Sequence, residues 1–240
     1  MDYIKNKLNN VRMGITTALI DPPTESIFFQ EGQLTVNEFV QSGDRLIQSC
    51  PSWKWKNAIS DKYQNNLLPS DKQYLLLERV PCNQRICELQ ENINIQEKLD
   101  NEDDWVINEQ IQQEKKQVEN KQIEEEQQLK QIYDFYYYTP RLYITGVDEN
   151  NNPLTQEEIF QDIINEYANK TVTFEEHPHL GTQQASLHPC KHAKVIKHMV
   201  DTIQGNGGII EPHMAIQIFL KFLASVIPTI EYDIANDFYL

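Results

Sequence analysis

Apolar residues along the chain follow two periods. Ile4, Leu8, Val11, Ile15 and Leu19 recur at helical spacing and stop just before Asp21-Pro22-Pro23, which predicts an amphipathic helix over residues 1–20. Thr35-Val36-Asn37-Glu38 sets a hydroxyl three residues before a glutamate, a capping box opening a helix toward Cys50. Thr155-Gln156-Glu157-Glu158 repeats the device, with Ile159, Phe160, Ile163, Ile164 and Tyr167 on the inner face. Val195, Ile196, Met199, Val200 and Ile203 predict a helix introduced by Cys190 and stopped at Gly205. Met214 to Ile227 is apolar nearly all round, so that helix is expected to be buried. Short β-type runs lie between these segments: Ser26 to Phe29, Gln73 to Val80 (closed by Pro81), Phe135 to Tyr138, Leu142 to Thr145, and Thr171 to Phe174. An acidic turn follows from Asp148 to Pro153. Strands broken by helices, with hairpin-like connections and no fixed repeat, predict an α+β fold with an antiparallel sheet.

Composition narrows the function. A chain of 240 residues makes one generous domain or two small ones, and 40% hydrophobic residues suffice for a real core. The net charge of −15 disfavours nonspecific nucleic-acid binding, which needs clustered cations. Four cysteines are too few for a disulfide scaffold, and no signal-peptide pattern opens the chain. The apolar stretch from Ala215 to Ile227 is interrupted by Gln217 and Lys221 and is too short to span a bilayer. The expectation is a reduced, intracellular, soluble protein.

Charge is unevenly spread. Glu97 to Glu126 holds 11 acidic residues and 4 lysines, with much Gln and Asn. Ile111 and Val118 are a heptad apart, but Glu125 breaks the stripe. This segment reads as disordered or as a solitary solvated helix, or else as a partner-docking helix formed on binding. Residues 1–20 are locally basic, with Lys5, Lys7 and Arg12 against Asp2. Such a helix either packs on its own core or rests reversibly in an anionic membrane interface.

Three groups could carry chemistry. His177, His179, His188, His192, His198 and His213 are numerous, but their spacing, even with Cys190, matches no standard zinc site. Cys82 and Cys87 are not a CxxC pair and, like Cys50, read as structural. Gly205, Gly207 and Gly208 lack the context of a phosphate loop. In His188-Pro189-Cys190-Lys191-His192, by contrast, the cysteine lies where a loop turns into a helix. The positive end of the helix dipole, with Lys191 and His192 beside it, would favour a thiolate there. Pro189 stiffens the approach and biases His188 toward extended backbone. A half-buried structural cysteine at a helix start has the same local pattern.

The blocks that decide between these readings are spread along the chain. His188-Pro189-Cys190-Lys191-His192-Ala193, Lys170-Thr171-Val172-Thr173-Phe174-Glu175, His177-Pro178-His179-Leu180, Tyr138-Thr139-Pro140-Arg141-Leu142 and Ile227-Pro228-Thr229-Ile230-Glu231-Tyr232-Asp233 resemble the autophagy-related protein 3 family. So do Glu38-Phe39-Val40, Gly43-Asp44, Cys50-Pro51-Ser52-Trp53-Lys54-Trp55 and Val80-Pro81-Cys82. The resemblance covers nearly the whole chain except for a central insert that is much shorter than usual.

That resemblance implies a ubiquitin-conjugating-enzyme-like core, an antiparallel sheet flanked by helices with the reactive cysteine beside the sheet. It implies four parts: a membrane-contact helix (1–20, through Ile4, Leu8, Val11, Ile15 and Leu19), a first part of the core (21–90), a flexible acidic insert (91–131) and a second part with the cysteine (132–240). Cys190 would accept a ubiquitin-like autophagy modifier as a thioester from an ATP-dependent activating enzyme. The amine of phosphatidylethanolamine would then take it, making the enzyme cytoplasmic and transiently bound at autophagosomal membranes. Thr171, or second Thr173, would stabilise the oxyanion, and His188 would orient the loop. In the insert only Glu102-Asp103-Asp104-Trp105-Val106 is similar to the family's partner-contacting region, so Trp105 and Val106 would meet the activating enzyme. The resemblance implies no resident cofactor or metal. Phe160-Gln161-Asp162-Ile163 fits an aromatic-x-x-aliphatic modifier-binding motif by type, although its apolar residues are expected to face the core. The rival readings are a cysteine hydrolase using Cys190 with His188 or His192 as base, and a noncatalytic scaffold.

Overall fold

The computed structural model describes residues 21–82, 125–164 and 171–230. Within them a six-stranded antiparallel sheet runs in the order β1-β2-β3-β4-β6-β5. The strands are β1 (Trp53–Lys56), β2 (Tyr74–Cys82), β3 (Glu125–Asp134), β4 (Thr139–Val147), β5 (Val172–Glu176) and β6 (Gln183–Leu187). The longest ladder joins β3 to β4, from Glu126 opposite Val147 to Asp134 opposite Thr139. The β4–β6 pairing is short, Tyr143 opposite Ser186 and Ile144 opposite Ala185.

One face of the sheet is apolar. Leu75, Leu77, Leu129, Tyr133, Leu142, Ile144, Ala185 and Leu187 alternate along their strands into a single core. The same core takes in residues of α1 (Phe28–Glu31), α2 (Val36–Ser49), α3 (Gln156–Gln161), α4 (His192–Gly205) and α5 (Ala215–Val226). Both expected capping boxes are formed. The Thr35 hydroxyl accepts from the Glu38 N–H, and the Glu38 carboxylate accepts from the Thr35 N–H at 2.8 Å. Thr155 and Glu158 do the same at α3. α5 buries most of its length, as its all-round apolar pattern predicts. Among the described residues no helix is long and apolar enough to cross a membrane.

Local sequence was misleading at four places. Ser26 to Phe29, expected as a strand, instead leads into the one-turn helix α1. Its apolar run is short because Phe28 plugs the core and Gly32 ends the turn at φ 70°. A Cβ on Gly32 would lie 2.1 Å from the Ala193 carbonyl oxygen, so close backbone approach to α4 requires glycine there. Phe135 to Tyr138, expected as a strand, is the turn between β3 and β4. Asp134 drives it, accepting the N–H groups of Tyr136 and Tyr137 at 3.0 Å each. Third, the acidic stretch assigned to residues 91–131 gives up its last residues to the sheet, because β3 begins at Glu125. Alternation of Gln127, Leu129, Gln131 and Tyr133 was hidden by glutamines, which are buried here rather than solvated. Pro81 also lies inside β2 rather than closing it.

Expectations for the helix over 1–20, for Ile111 and Val118, for Trp105 and Val106, and for Cys87 and Tyr167 fall outside the described residues.

Candidate active site

The other face of the sheet joins a small apolar cluster of Tyr74, Leu76, Ile132 and Tyr143 to a buried polar layer, and that layer leads to Cys190. β6 ends at Leu187, and the chain turns through His188 into a single 3-10 turn, Pro189–Lys191, before α4 begins at His192. Pro189 occupies the first position of that turn, where its missing N–H costs nothing. His188 caps it, its Nδ1 accepting the Cys190 N–H at 3.3 Å, while its own N–H donates to the Thr171 carbonyl at 2.6 Å. Cys190 is exposed, whereas Cys50 and Cys82 are buried. The thiol is therefore reachable, and its N–H is held by His188, which is itself tied to Thr171.

His192 corrects one expectation. It was expected to add positive potential beside the sulfur, but its ring is buried between Pro140 and Phe219. Its Nδ1 lies 3.0 Å from the Pro140 carbonyl. Burial lowers its pKa to about 4, against the hydrogen bond to Pro140, so the ring is neutral at neutral pH. It fastens α4 to the start of β4 and contributes no charge. Lys191 remains exposed next to Cys190. His188 also has a lowered pKa, from burial first and the Arg141 charge second. A neutral ring keeps Nδ1 an acceptor for the Cys190 N–H.

Under His188 lies a network that motif reading missed. Arg141, on β4, is almost fully buried, with Asp134 Oδ2 at 3.2 Å on one side and Glu175 Oε2 at 2.8 Å on the other. Its Nε donates to Ser186 Oγ at 2.8 Å, and Ser186 Oγ donates to the Leu142 carbonyl at 3.2 Å. The Thr173 hydroxyl donates to Glu175 Oε1. Thr173 is thus drawn into the Arg141 network, while Thr171 adjoins the Cys190 turn through His188. Asp134 completes the circuit by holding the Tyr137 N–H, and the Tyr137 ring packs edge-on against His188 at 5.6 Å. The available signal was the strand period. Arg141, Thr173, Glu175 and Ser186 occupy the positions that alternate with the core residues Leu142, Phe174, Ala185 and Leu187.

The remaining histidines are dispersed. His177 and His179 pack around Tyr74 and Tyr143, in the small apolar cluster of the same face. Burial, helped by His179 and Lys130, lowers the His177 pKa to about 2. Among the described residues no group of three potential metal ligands converges. Phe160-Gln161-Asp162-Ile163 does face inward in part, with Ile163 in the core and Asp162 bound to Gln127 Nε2 at 2.6 Å.

Among the described residues of this α+β fold, Cys190 is the exposed cysteine, set on a stiff turn beside an antiparallel sheet and backed by a buried ion network. Residues 38–234 match the family described as "Autophagocytosis associated protein, active-site domain". Autophagy-related protein 3 of Arabidopsis thaliana is 31% identical, covering 98% of this chain and 97% of the relative. Its counterpart in Dictyostelium discoideum is 30% identical over 89% of the chain and 92% of the relative, and that of Schizosaccharomyces pombe is 30% identical over 89% and 93%. The chain belongs to the autophagy-related protein 3 family. The Arabidopsis alignment spans 305 positions against a chain of 240 residues, so the relative carries residues that this chain lacks.

Proposed function

We propose that this protein is a conjugating enzyme of autophagy with a ubiquitin-conjugating-enzyme-like core. Cys190 accepts a ubiquitin-like modifier as a thioester from an ATP-dependent activating enzyme and passes it to the amine of phosphatidylethanolamine. The observation that carries the reading is the exposed Cys190 thiol on a turn held by His188 and Thr171, in a chain of this family. A thioester needs a nucleophile reachable by two large partners in succession, and an exposed sulfur on fixed backbone meets that need.

In the transfer step the neutral lipid amine attacks the thioester carbonyl carbon, and the carbonyl π pair moves to oxygen. The oxyanion then collapses, the C–S bond breaks, and the sulfur leaves with the electron pair. The proton lost from nitrogen goes to the thiolate, so the products are an amide and the free thiol. Of the two candidate threonines, Thr171 is the one joined to the Cys190 turn, its carbonyl accepting the His188 N–H, which supports it for oxyanion stabilisation. His188 acts as the orienting residue through its hydrogen bond to Cys190.

The remaining parts of the proposal follow the family. Residues 1–20 rest on the membrane through Ile4, Leu8, Val11, Ile15 and Leu19, and the insert around Trp105 and Val106 meets the activating enzyme. The protein is cytoplasmic and joins autophagosomal membranes transiently. A hydrolase would need an imidazole at the sulfur, yet among the described residues no histidine hydrogen-bonds the Cys190 Sγ, and His192 is committed to Pro140. The test is reconstitution with activating enzyme, ATP, modifier and phosphatidylethanolamine vesicles. Wild type yields lipid-linked modifier and Cys190→Ala yields none; lipidation surviving in Cys190→Ala would leave only a scaffold.

A further inference from the structure

Tyr137 packs against the Cys190 turn through its contact with His188. Its N–H is bound by Asp134 at 3.0 Å, and its carbonyl accepts from Gln33 Nε2 at 3.2 Å. Its ring meets Tyr136 edge-on at 4.8 Å and His188 at 5.6 Å. Backbone and ring are therefore fixed on both sides, and the ring stands against the residue that caps the cysteine. Its hydroxyl makes no hydrogen bond among the described residues, whereas the hydroxyl of the nearby Tyr133 is spent on the Leu34 carbonyl. Burial, and then the Cys190 sulfur, raise the Tyr137 pKa, so the phenol stays protonated and lies within electrostatic reach of the thiol. A fixed, protonated, unspent donor beside an acyl-carrying sulfur suits an oxyanion.

We propose that Tyr137 is a further catalytic residue, whose hydroxyl donates a hydrogen bond to the thioester carbonyl oxygen on Cys190 as negative charge develops there. It acts beside Thr171, since oxyanion sites commonly use two donors. This rests on the proposed thioester function of Cys190. Asp134 is the positioning residue beneath it, because the same carboxylate that pairs with Arg141 fixes the Tyr137 backbone.

The test is single-turnover discharge. The protein is charged with modifier, the activating enzyme is quenched, and loss of the thioester is followed with phosphatidylethanolamine vesicles and, separately, with free ethanolamine. Tyr137→Phe keeps the ring and is expected to melt with wild type and to charge at the wild-type level. Its discharge rate falls about tenfold or more with both acceptors, while the half-saturating vesicle concentration is unchanged. Tyr136→Phe, which removes the adjacent exposed hydroxyl, discharges normally. Discharge of Tyr137→Phe at the wild-type rate overturns the inference, as does a defect seen with vesicles but not with free ethanolamine, which would make Tyr137 a membrane contact. Failure of the wild type itself to charge would be distinct, since it removes the thioester reading beneath this one.

Discussion

Arg141 and Leu142 are neighbours on β4, and they face two different environments. Leu142 points into a core shared with five helices, where any apolar side chain of the right volume satisfies the site. Arg141 points into a polar layer where Asp134, Glu175 and Ser186 each take a defined part of one guanidinium. The first face makes the fold and the second shapes the site. A sheet that commits one face to packing can use the other to hold buried ions in fixed geometry, and here that geometry leads through Tyr137 and His188 to Cys190.

The sharpest way to break this contrast is to cut the ion network. Arg141→Met leaves the Asp134 and Glu175 carboxylates buried without their shared cation. We expect a loss of about 3–5 kcal/mol, together with slowed discharge of any Cys190 thioester. Leu142→Ala should cost about 2–5 kcal/mol by opening a cavity, and variants that stay folded should discharge normally. Urea melts and single-turnover rates measured together separate the two. Equal discharge defects in both would show that the polar layer has no special link to the site.

The two faces also differ in how readable they were. α2, α3, α4 and α5 followed from capping boxes and apolar spacing, β4 from its β-type run and β5 from alternation, because each is locally consistent with its final environment. β3 was hidden, since Gln127 and Gln131 occupy inward positions that ordinarily hold apolar side chains. Phe135 to Tyr138 looked like a strand by residue type, but the preceding Asp134 side chain bends it into a turn. At the site, Cys190 and His188 stood out because local sequence alone sets a Pro-stiffened turn. The Asp134–Arg141–Glu175 network joins three strands, so no short motif could reveal it. His192 shows the same limit: next to Cys190 in sequence, its ring lies in the core.

A second prediction uses acid. His177 and His192 have folded pKa values of about 2 and about 4, both below the unfolded value near 6.5. The unfolded chain therefore binds more protons in acid. Stability is full above about pH 6.5 and falls as pH drops toward those folded values, by about 1.4 kcal/mol per pH unit for each ring. Denaturant midpoints between pH 7 and 4 check this. His177→Gln should flatten the slope by about one proton, and an unchanged slope would mean that His177 is not held neutral on the second face.

The smallest effect tests the apolar face. Gln131 is fully buried there, and among the described residues neither of its amide atoms has a hydrogen-bond partner. Gln131→Leu should be neutral or stabilise by about 1 kcal/mol, because it removes a desolvated amide that nothing repays. Destabilisation in a thermal melt would show that the amide serves the fold.

The account stands on the sulfur of Cys190, and one peptide map reads it directly. Incubation with activating enzyme, ATP and modifier should give an adduct located at Cys190, removed by thiol reductant and converted to a reductant-resistant ester in Cys190→Ser. No adduct, or one at another residue, would contradict it.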